Sequence, residues 1–425
     1  MMSEYKKRIV DSILKEKLMG KGAVLIEGPK WCGKTTTAEQ VSNSILYMAD
    51  PKTIKQNLML ADTNPEYLLM GQTPRLIDEW QLAPKLWDAA RFEIDHRKKF
   101  GQFIFTGSSI PVDLSDVNHT GTGRFSWLKM RTMSLFESGE SNGSVSIKQL
   151  FESDDSIYGE SHLSLEDVAF LVCRGGWPVS TYLDGKLALN QARDYYDAVI
   201  SSDISRVDKV KRDPEKAKRI LRSYARNQGS QIGDDTIVAD IITNEDESTT
   251  RATVHSYIEV LKKIFVIEDM LAWNPNLRSK TAIRTSDTRY FVDPSIAAAA
   301  LGFGPGDLMN DLKTFGLMFE AMAVRDLRVY ADALDGNVYH YRDKNNLECD
   351  AVIHLRNGKY GLIEIKLGGD ELIEEGVKTL LKLSALIDIE KMKAPSFMMV
   401  LTANGNLAYK RHDGVLVVPI GTLGL

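Results

Sequence analysis

The sequence predicts an α/β protein, with two sheet-bearing regions and a mostly helical middle. Three patterns predict it. Residues 21–135 alternate short apolar runs with helical segments, as a parallel sheet with crossover helices does. The stretch from Asp167 to about Arg226 has helical periodicity, and beyond Tyr290 a helix around Phe315–Tyr330 leads into two strand-like runs. A length of 425 residues suits roughly three domains of about 150 residues, each long enough to bury a core.

Composition narrows the class. With 43% hydrophobic and 26% charged residues the chain is neither disordered nor a disulfide miniprotein. Its 53 basic and 58 acidic residues give a net charge of -5, against a generally basic nucleic-acid coat but compatible with a local basic face. Cys32, Cys173 and Cys349 form no Cys-x-x-Cys pair, and the scattered histidines make no zinc set. No leader-like segment and no run of about 18 apolar residues appears, so a reduced, cytoplasmic protein without a membrane partner is expected.

The elements follow in chain order. Ala23-Val24-Leu25-Ile26, Ile45-Leu46-Tyr47-Met48, Leu76-Ile77 and Phe103-Ile104-Phe105 are the strand candidates of the first region. Glu137 to Asp167 carries eight acidic residues against one lysine, and is expected to be a solvated connection. Arg206 to Arg226 holds nine Lys or Arg against three acids, either a solvated helix face or a face that contacts phosphates. Thr236–Ile242 is a helix candidate, and Ser248-Thr249-Thr250 offers caps for a second one. That second helix repeats Val254, Tyr257, Ile258, Leu261 and Ile264 before the strand-like Phe265-Val266-Ile267. Helix, turn, helix and strand in about 40 residues suggests a winged-helix module, and an ordinary helical hairpin fits the same pattern. Cys349–Leu355 and Tyr360–Leu367 are the strands of the last region.

The strongest motif is Gly28-Pro29-Lys30-Trp31-Cys32-Gly33-Lys34-Thr35, a complete G-x-x-x-x-G-K-[ST] between an apolar strand and a helical segment. Its glycines let backbone N–H groups turn around phosphate oxygens, and the following helix adds its positive end. Residues Gly28 to Thr36, Thr36 included, are therefore the expected nucleotide-binding set. Lys34 suits the β- and γ-phosphates of ATP, and the Thr35 hydroxyl suits Mg²⁺. Leu76-Ile77-Asp78-Glu79 then ends a strand in two carboxylates, 44 residues after Lys34. Asp78 would hold Mg²⁺ and Glu79 would act as general base on the attacking water. Thr106-Gly107-Ser108-Ser109 ends the next strand, which would set its hydroxyls, with Ser108 as the catalytic candidate, beside the γ-phosphate if the two strands are neighbours.

This order of motifs resembles prokaryotic AAA-type ATPases that carry a C-terminal domain of unknown function related to the PD-(D/E)XK nuclease fold. The resemblance rests on the loop, Asp78-Glu79-Trp80-Gln81, Phe105–Ser109, Gly123-Arg124, Met133-Ser134-Leu135-Phe136-Glu137 and Arg174-Gly175-Gly176-Trp177-Pro178. It implies an AAA-type P-loop ATPase domain over residues 1–150 and a helical region over 151–230. A winged-helix-like part over 231–290 and a nuclease-like domain over 291–425 would follow. It also implies an arginine that senses the γ-phosphate, expected at Arg124 with Arg131 in reserve; a structural ion pair is the alternative.

The resemblance further marks Glu320, Asp350, Glu364 and Lys366 as a nuclease-like pocket, in which carboxylates bind Mg²⁺ and a lysine positions water. Glu364 and Lys366, two apart on a strand, share one face. A two-residue Asn357-Gly358 turn would point Asp350 away from Glu364, whereas a three-residue Arg356-Asn357-Gly358 loop sets it opposite. Leu347-Glu348-Cys349-Asp350 departs from the family's Pro-Asp, which bears on cleavage more than on fold. The expected function is a Mg²⁺-dependent ATPase acting on DNA, with a homo-oligomer as an open alternative to a single chain. The alternative is a nucleotide-gated binding protein that cuts nothing.

Overall fold

A computed structural model describes residues 4–109, 121–153, 157–208, 210–242, 249–275, 286–389 and 392–425. Ser248 and Lys209 lie outside them. Contacts gather the chain into two compact units. One comprises Met1–Thr132, Ser202–Lys211 and Val260–Val266, and the other Met133–Ser201, Arg212–Glu259 and Ile267–Leu425.

The first unit is a parallel sheet of β1 (Ala23–Glu27), β2 (Ser44–Tyr47), β3 (Arg75–Asp78), β4 (Phe103–Gly107) and β5 (Phe125–Lys129), in the order β2-β3-β4-β1-β5. Both faces are covered, which is why β1 and β4 run apolar over Ala23–Ile26 and Phe103–Phe105 rather than alternating. Helix α1 (Val10–Gly20) brings Leu14 and Leu18 onto Val24, Ile26 and Ile104. Helix α2 (Lys34–Glu39) opens directly from the glycine loop, and α3 (Ile54–Thr63) follows β2. Helix α4 (Lys85–Arg97) packs Leu86, Trp87 and Ile94 against Leu25, Phe103 and Phe105 on the other face. Each such side chain, once sealed from water, contributes about 1.5–3 kcal/mol. β5 is absent from the expected strands. As an edge strand it buries Phe125 and Leu128 and exposes Trp127 and Lys129, so it lacks the continuous apolar run of its neighbours.

The second unit holds a seven-stranded sheet of order β7-β12-β13-β11-β10-β9-β8. Its centre is β9 (Glu348–Leu355), β10 (Tyr360–Lys366), β11 (Phe397–Thr402) and β13 (Leu416–Pro419), with β10, β11 and β13 parallel and β9 antiparallel. The outer strands are β8 (Gly336–Arg342), β7 (Gly159–Glu160) and β12 (Leu407–Lys410). β6 (Val145–Ser146) pairs separately with β14 (Leu423–Gly424).

Helices α5 (Leu165–Arg174), α6 (Gly185–Ala198), α7 (Pro214–Arg226) and α8 (Asp234–Ile241) precede this sheet's centre, and α9 (Arg251–Lys263) straddles the division between the units. They are followed by α10 (Pro294–Leu301) and the long α11 (Leu312–Ala333), which packs on β8, β9 and β10. Helix α12 (Asp370–Leu386) crosses over between β10 and β11 and seats Val377, Leu380 and Leu383 on Val352, Leu362 and Val400.

One expectation changes. Over its described residues Glu137–Asp167 is not a solvated connection: Val145, Ile147, Leu150 and Phe151 are buried, and Ser141 donates to the Leu423 carbonyl. Three of its acids serve local structure, Glu137 and Asp167 closing capping boxes with Ser134 and Ser164 and Glu140 pairing with Arg174. The basic stretch fits the solvated-face alternative: on α7 Lys218, Arg219, Arg222 and Arg226 are exposed, Lys218 pairing with Glu215 and Arg226 with Asp240, while Arg212 is buried over the Tyr257 ring.

Candidate functional site

The glycine loop sits between the carboxyl end of β1 and the first turn of α2. Gly28 is required by crowding, since a Cβ there would lie 2.0 Å from the Met130 carbonyl oxygen. Gly33 takes φ 99°, a left-handed angle that suits glycine, and turns the chain into α2. Trp31 adopts φ 65° without that freedom, and its side chain is 56% exposed at the loop's apex. Lys34 is buried, with its Nζ donating to the Gly28 and Pro29 carbonyls at 2.9 and 2.7 Å. The ammonium thus lies inside the loop, held by acceptors that a phosphate can replace.

β3 and β4 are neighbours, and their register sets Asp78 beside Thr106. Asp78 Oδ1 accepts from the Thr35 hydroxyl at 2.7 Å and from the Thr106 hydroxyl at 2.6 Å. The acid and hydroxyl expected to share Mg²⁺ are therefore already in contact. Glu79 follows at φ 57°, a left-handed angle unusual for a glutamate, which turns its side chain out of the strand alternation. Its Oε2 accepts from Gln81 Nε2, and from the Ser108 hydroxyl at 3.3 Å. Behind them Gly107 lets the sheet approach Trp80: a Cβ would stand 2.9 Å from the indole Nε1. Trp80 in turn packs at 5.0 Å from Trp87.

In the second unit the β9–β10 hairpin adopts the three-residue loop. Leu355 N–H donates to the Lys359 carbonyl at 2.9 Å, and Gly358 takes φ 83°. Ala351 pairs with Ile363, so the next pair outward sets Asp350 opposite Glu364. Lys366 Nζ lies 2.7 Å from Glu364 Oε2 and 3.3 Å from Asp350 Oδ2, and Asp350 Oδ2 also accepts from Ile365 N–H at 2.7 Å. Glu320 joins them from α11, accepting the Tyr290 hydroxyl. Burial first, then the negative charge of Asp350, pushes the Glu320 and Glu364 carboxyls up to about 8. Burial pulls the Lys366 ammonium down, but Asp350 and Glu364 outweigh it and hold the group above its ordinary range. Glu364 Oε1 remains buried without a hydrogen-bond partner. Among the described residues, no group of three or more His, Cys, Asp or Glu side chains is arranged to hold a metal ion.

With both geometries in place, residues 20–138 match a family described as the AAA domain. Residues 20–138 are a P-loop AAA-type ATPase domain. Residues 165–307 match a domain of unknown function (DUF8612), and residues 315–423 match another (DUF4143). No curated protein matches the chain. Among solved structures, the Walker-type ATPase of Pyrococcus abyssi aligns at 13% identity and TM-score 0.39, covering 70% of this chain and 96% of its own. A signal transduction ATPase with numerous domains and a tetratricopeptide repeat sensor, from Pyrococcus horikoshii, aligns at 13% identity and TM-score 0.26. That alignment covers 78% of this chain and 50% of the other. Among the described residues no helix is long and apolar enough to cross a membrane.

Within the AAA-type domain the structure does not bring Arg124 to the loop of its own chain. Arg124 precedes Phe125, which pairs with Ala23 at the start of β1, whereas the loop follows Glu27 at the other end. It instead forks onto Asp95 at 2.9 and 3.2 Å, the ion-pair alternative. Arg131 stands just beyond β5, at the loop's end of the sheet.

Two residues went unforeseen. Arg8 donates to the Cys32 and Arg131 carbonyls at 2.9 and 3.0 Å, and a lone N-terminal arginine carries no sequence signal for that. In the second unit Arg325 is buried between Asp293 at 3.2 Å and Asp326 at 2.7 Å. The same Asp293 accepts from the Gly176 N–H, so Arg174–Pro178 is tied into a buried ionic hub.

Proposed function

We propose that this chain is a Mg²⁺-dependent ATPase that couples ATP turnover to contact with DNA through its C-terminal region. The observation that carries the ATPase reading is the Thr35–Asp78 contact at 2.7 Å beneath a complete phosphate loop. The residues fit the groups they would take. Gly28 to Thr36, Pro29 apart, supply N–H donors, Lys34 supplies a cation, and Thr35 with Asp78 supplies the hard oxygen pair suited to Mg²⁺. The metal, when bound, would neutralise charge developing on the phosphates. Lys34 would leave the Gly28 and Pro29 carbonyls for phosphate oxygens. Glu79, oriented by Gln81 and Ser108, would accept the proton of the attacking water.

The DNA part rests on the resemblance and on the pocket of Glu320, Asp350, Glu364 and Lys366. A second reading, a nucleotide-gated module that binds a partner without cutting, is favoured by one feature: Lys366 is already ion-paired with both Asp350 and Glu364. The deciding experiment measures ATP turnover with single-stranded DNA, duplex DNA and no DNA, with a Mg²⁺-dependent plasmid-nicking assay alongside. Stimulated turnover without nicking supports DNA contact without cleavage, and unstimulated turnover removes DNA from the account.

A further inference from the structure

The AAA-type domain is completed by a piece of chain far from it in sequence. Ser202–Lys211 belongs to the same compact unit as the glycine loop. At its start Asp203 Oδ1 accepts from Lys30 Nζ at 2.6 Å. The Asp203 side chain is only 10% exposed, whereas that of Lys30 is 43% exposed. Asp203 also ends a widened π-helical turn, Val199–Asp203, of the kind that concentrates at functional positions.

The loop needs such an anchor. Lys34 holds the Gly28 and Pro29 carbonyls, and those bonds are the ones surrendered when Lys34 turns to a phosphate. Other ties bear on the apex, which carries the left-handed Trp31. Arg8 holds the Cys32 carbonyl, and Asp203 holds Lys30. Of these two, the second is an ion pair between side chains, and breaking it would leave the largely buried Asp203 charge uncompensated.

We propose that Asp203 is a positioning residue for the phosphate loop, acting through Lys30 to keep the apex in its nucleotide-receiving shape. It touches no substrate itself, and the proposal rests on the ATPase reading above. The test titrates the full chain with a fluorescent ATP analogue and measures steady-state ATP turnover. Asp203→Asn should raise Kd and KM about five- to tenfold while kcat stays within about twofold, because binding geometry is lost and the reacting groups are not. Asp203→Glu should recover most of the affinity, and the exchange Lys30→Asp with Asp203→Lys should recover part of it. Thermal melts of each variant separate this from general unfolding, and the exchange keeps the test decisive if Asp203→Asn folds poorly. An Asp203→Asn variant that binds as well as wild type, or a loss confined to kcat, overturns the proposal. So does an exchange no better than its worse single variant. A wild type that binds no ATP sinks the ATPase reading and this proposal together.

Discussion

Asp78 is the residue on which the proposed phosphate site converges, because one oxygen accepts from hydroxyls on two different elements, Thr35 of α2 and Thr106 of β4. Asp78→Asn keeps the shape but removes the charge. It should leave nucleotide binding measurable while Mg²⁺-dependent turnover falls by about a hundredfold or more, read as phosphate release across a Mg²⁺ titration. Lys34→Ala removes the cation now stored between two loop carbonyls. It should abolish binding of ATP, and full affinity in a direct binding assay would take Lys34 out of the phosphate site. The loop, Lys34, Asp78 and Glu79 were legible because a motif of this kind is local chemistry on a short stretch of chain. Arg8 and Asp203 were not, because their roles come from contacts over 24 and 173 residues.

At the scale of elements, the β9–β10 hairpin shows how one residue of register decides a site. Gly358 at φ 83° permits the three-residue loop, and that loop turns Asp350, Glu364 and Lys366 to one side. The sequence offered both registers, and only the backbone could choose. Strands β1, β4 and β10 were legible from their apolar runs, whereas the edge strand β5 was not, since half of it faces water. The pocket also carries a pH signature. Glu320 and Glu364 are both held up to about 8, so the folded chain binds more protons than the unfolded chain between their ordinary range and that value. Stability should therefore fall as pH rises from about 5 to about 8. Glu320→Gln removes one of these titrations and should flatten the dependence of Tm on pH. An unchanged slope in melts across that range would take Glu320 out of the coupled group. Asp350→Asn removes the charge that raises both carboxyls, and should raise Tm most at the alkaline end.

For the whole molecule, the two compact units divide the basic stretch expected to be one face, since Ser202–Lys211 goes to one and Arg212 onward to the other. Net charge alone had already argued against a general nucleic-acid coat, so DNA contact is a matter of local chemistry. Arg124 bears on assembly. Paired with Asp95 at the sheet end away from the loop, it should be dispensable for turnover within one chain, and Arg124→Ala should hydrolyse ATP nearly as wild type does. A dead Arg124→Ala rescued by mixing with Lys34→Ala subunits would instead show an arginine supplied between chains. The central claim, hydrolysis at the AAA-type site with Glu79 as base, is tested most directly by comparing wild type with Glu79→Gln for ATP binding and phosphate release in the same Mg²⁺ samples. The account predicts equal binding and release slowed by about a hundredfold or more in the variant. Equal release from both proteins, or no release from wild type, would contradict it.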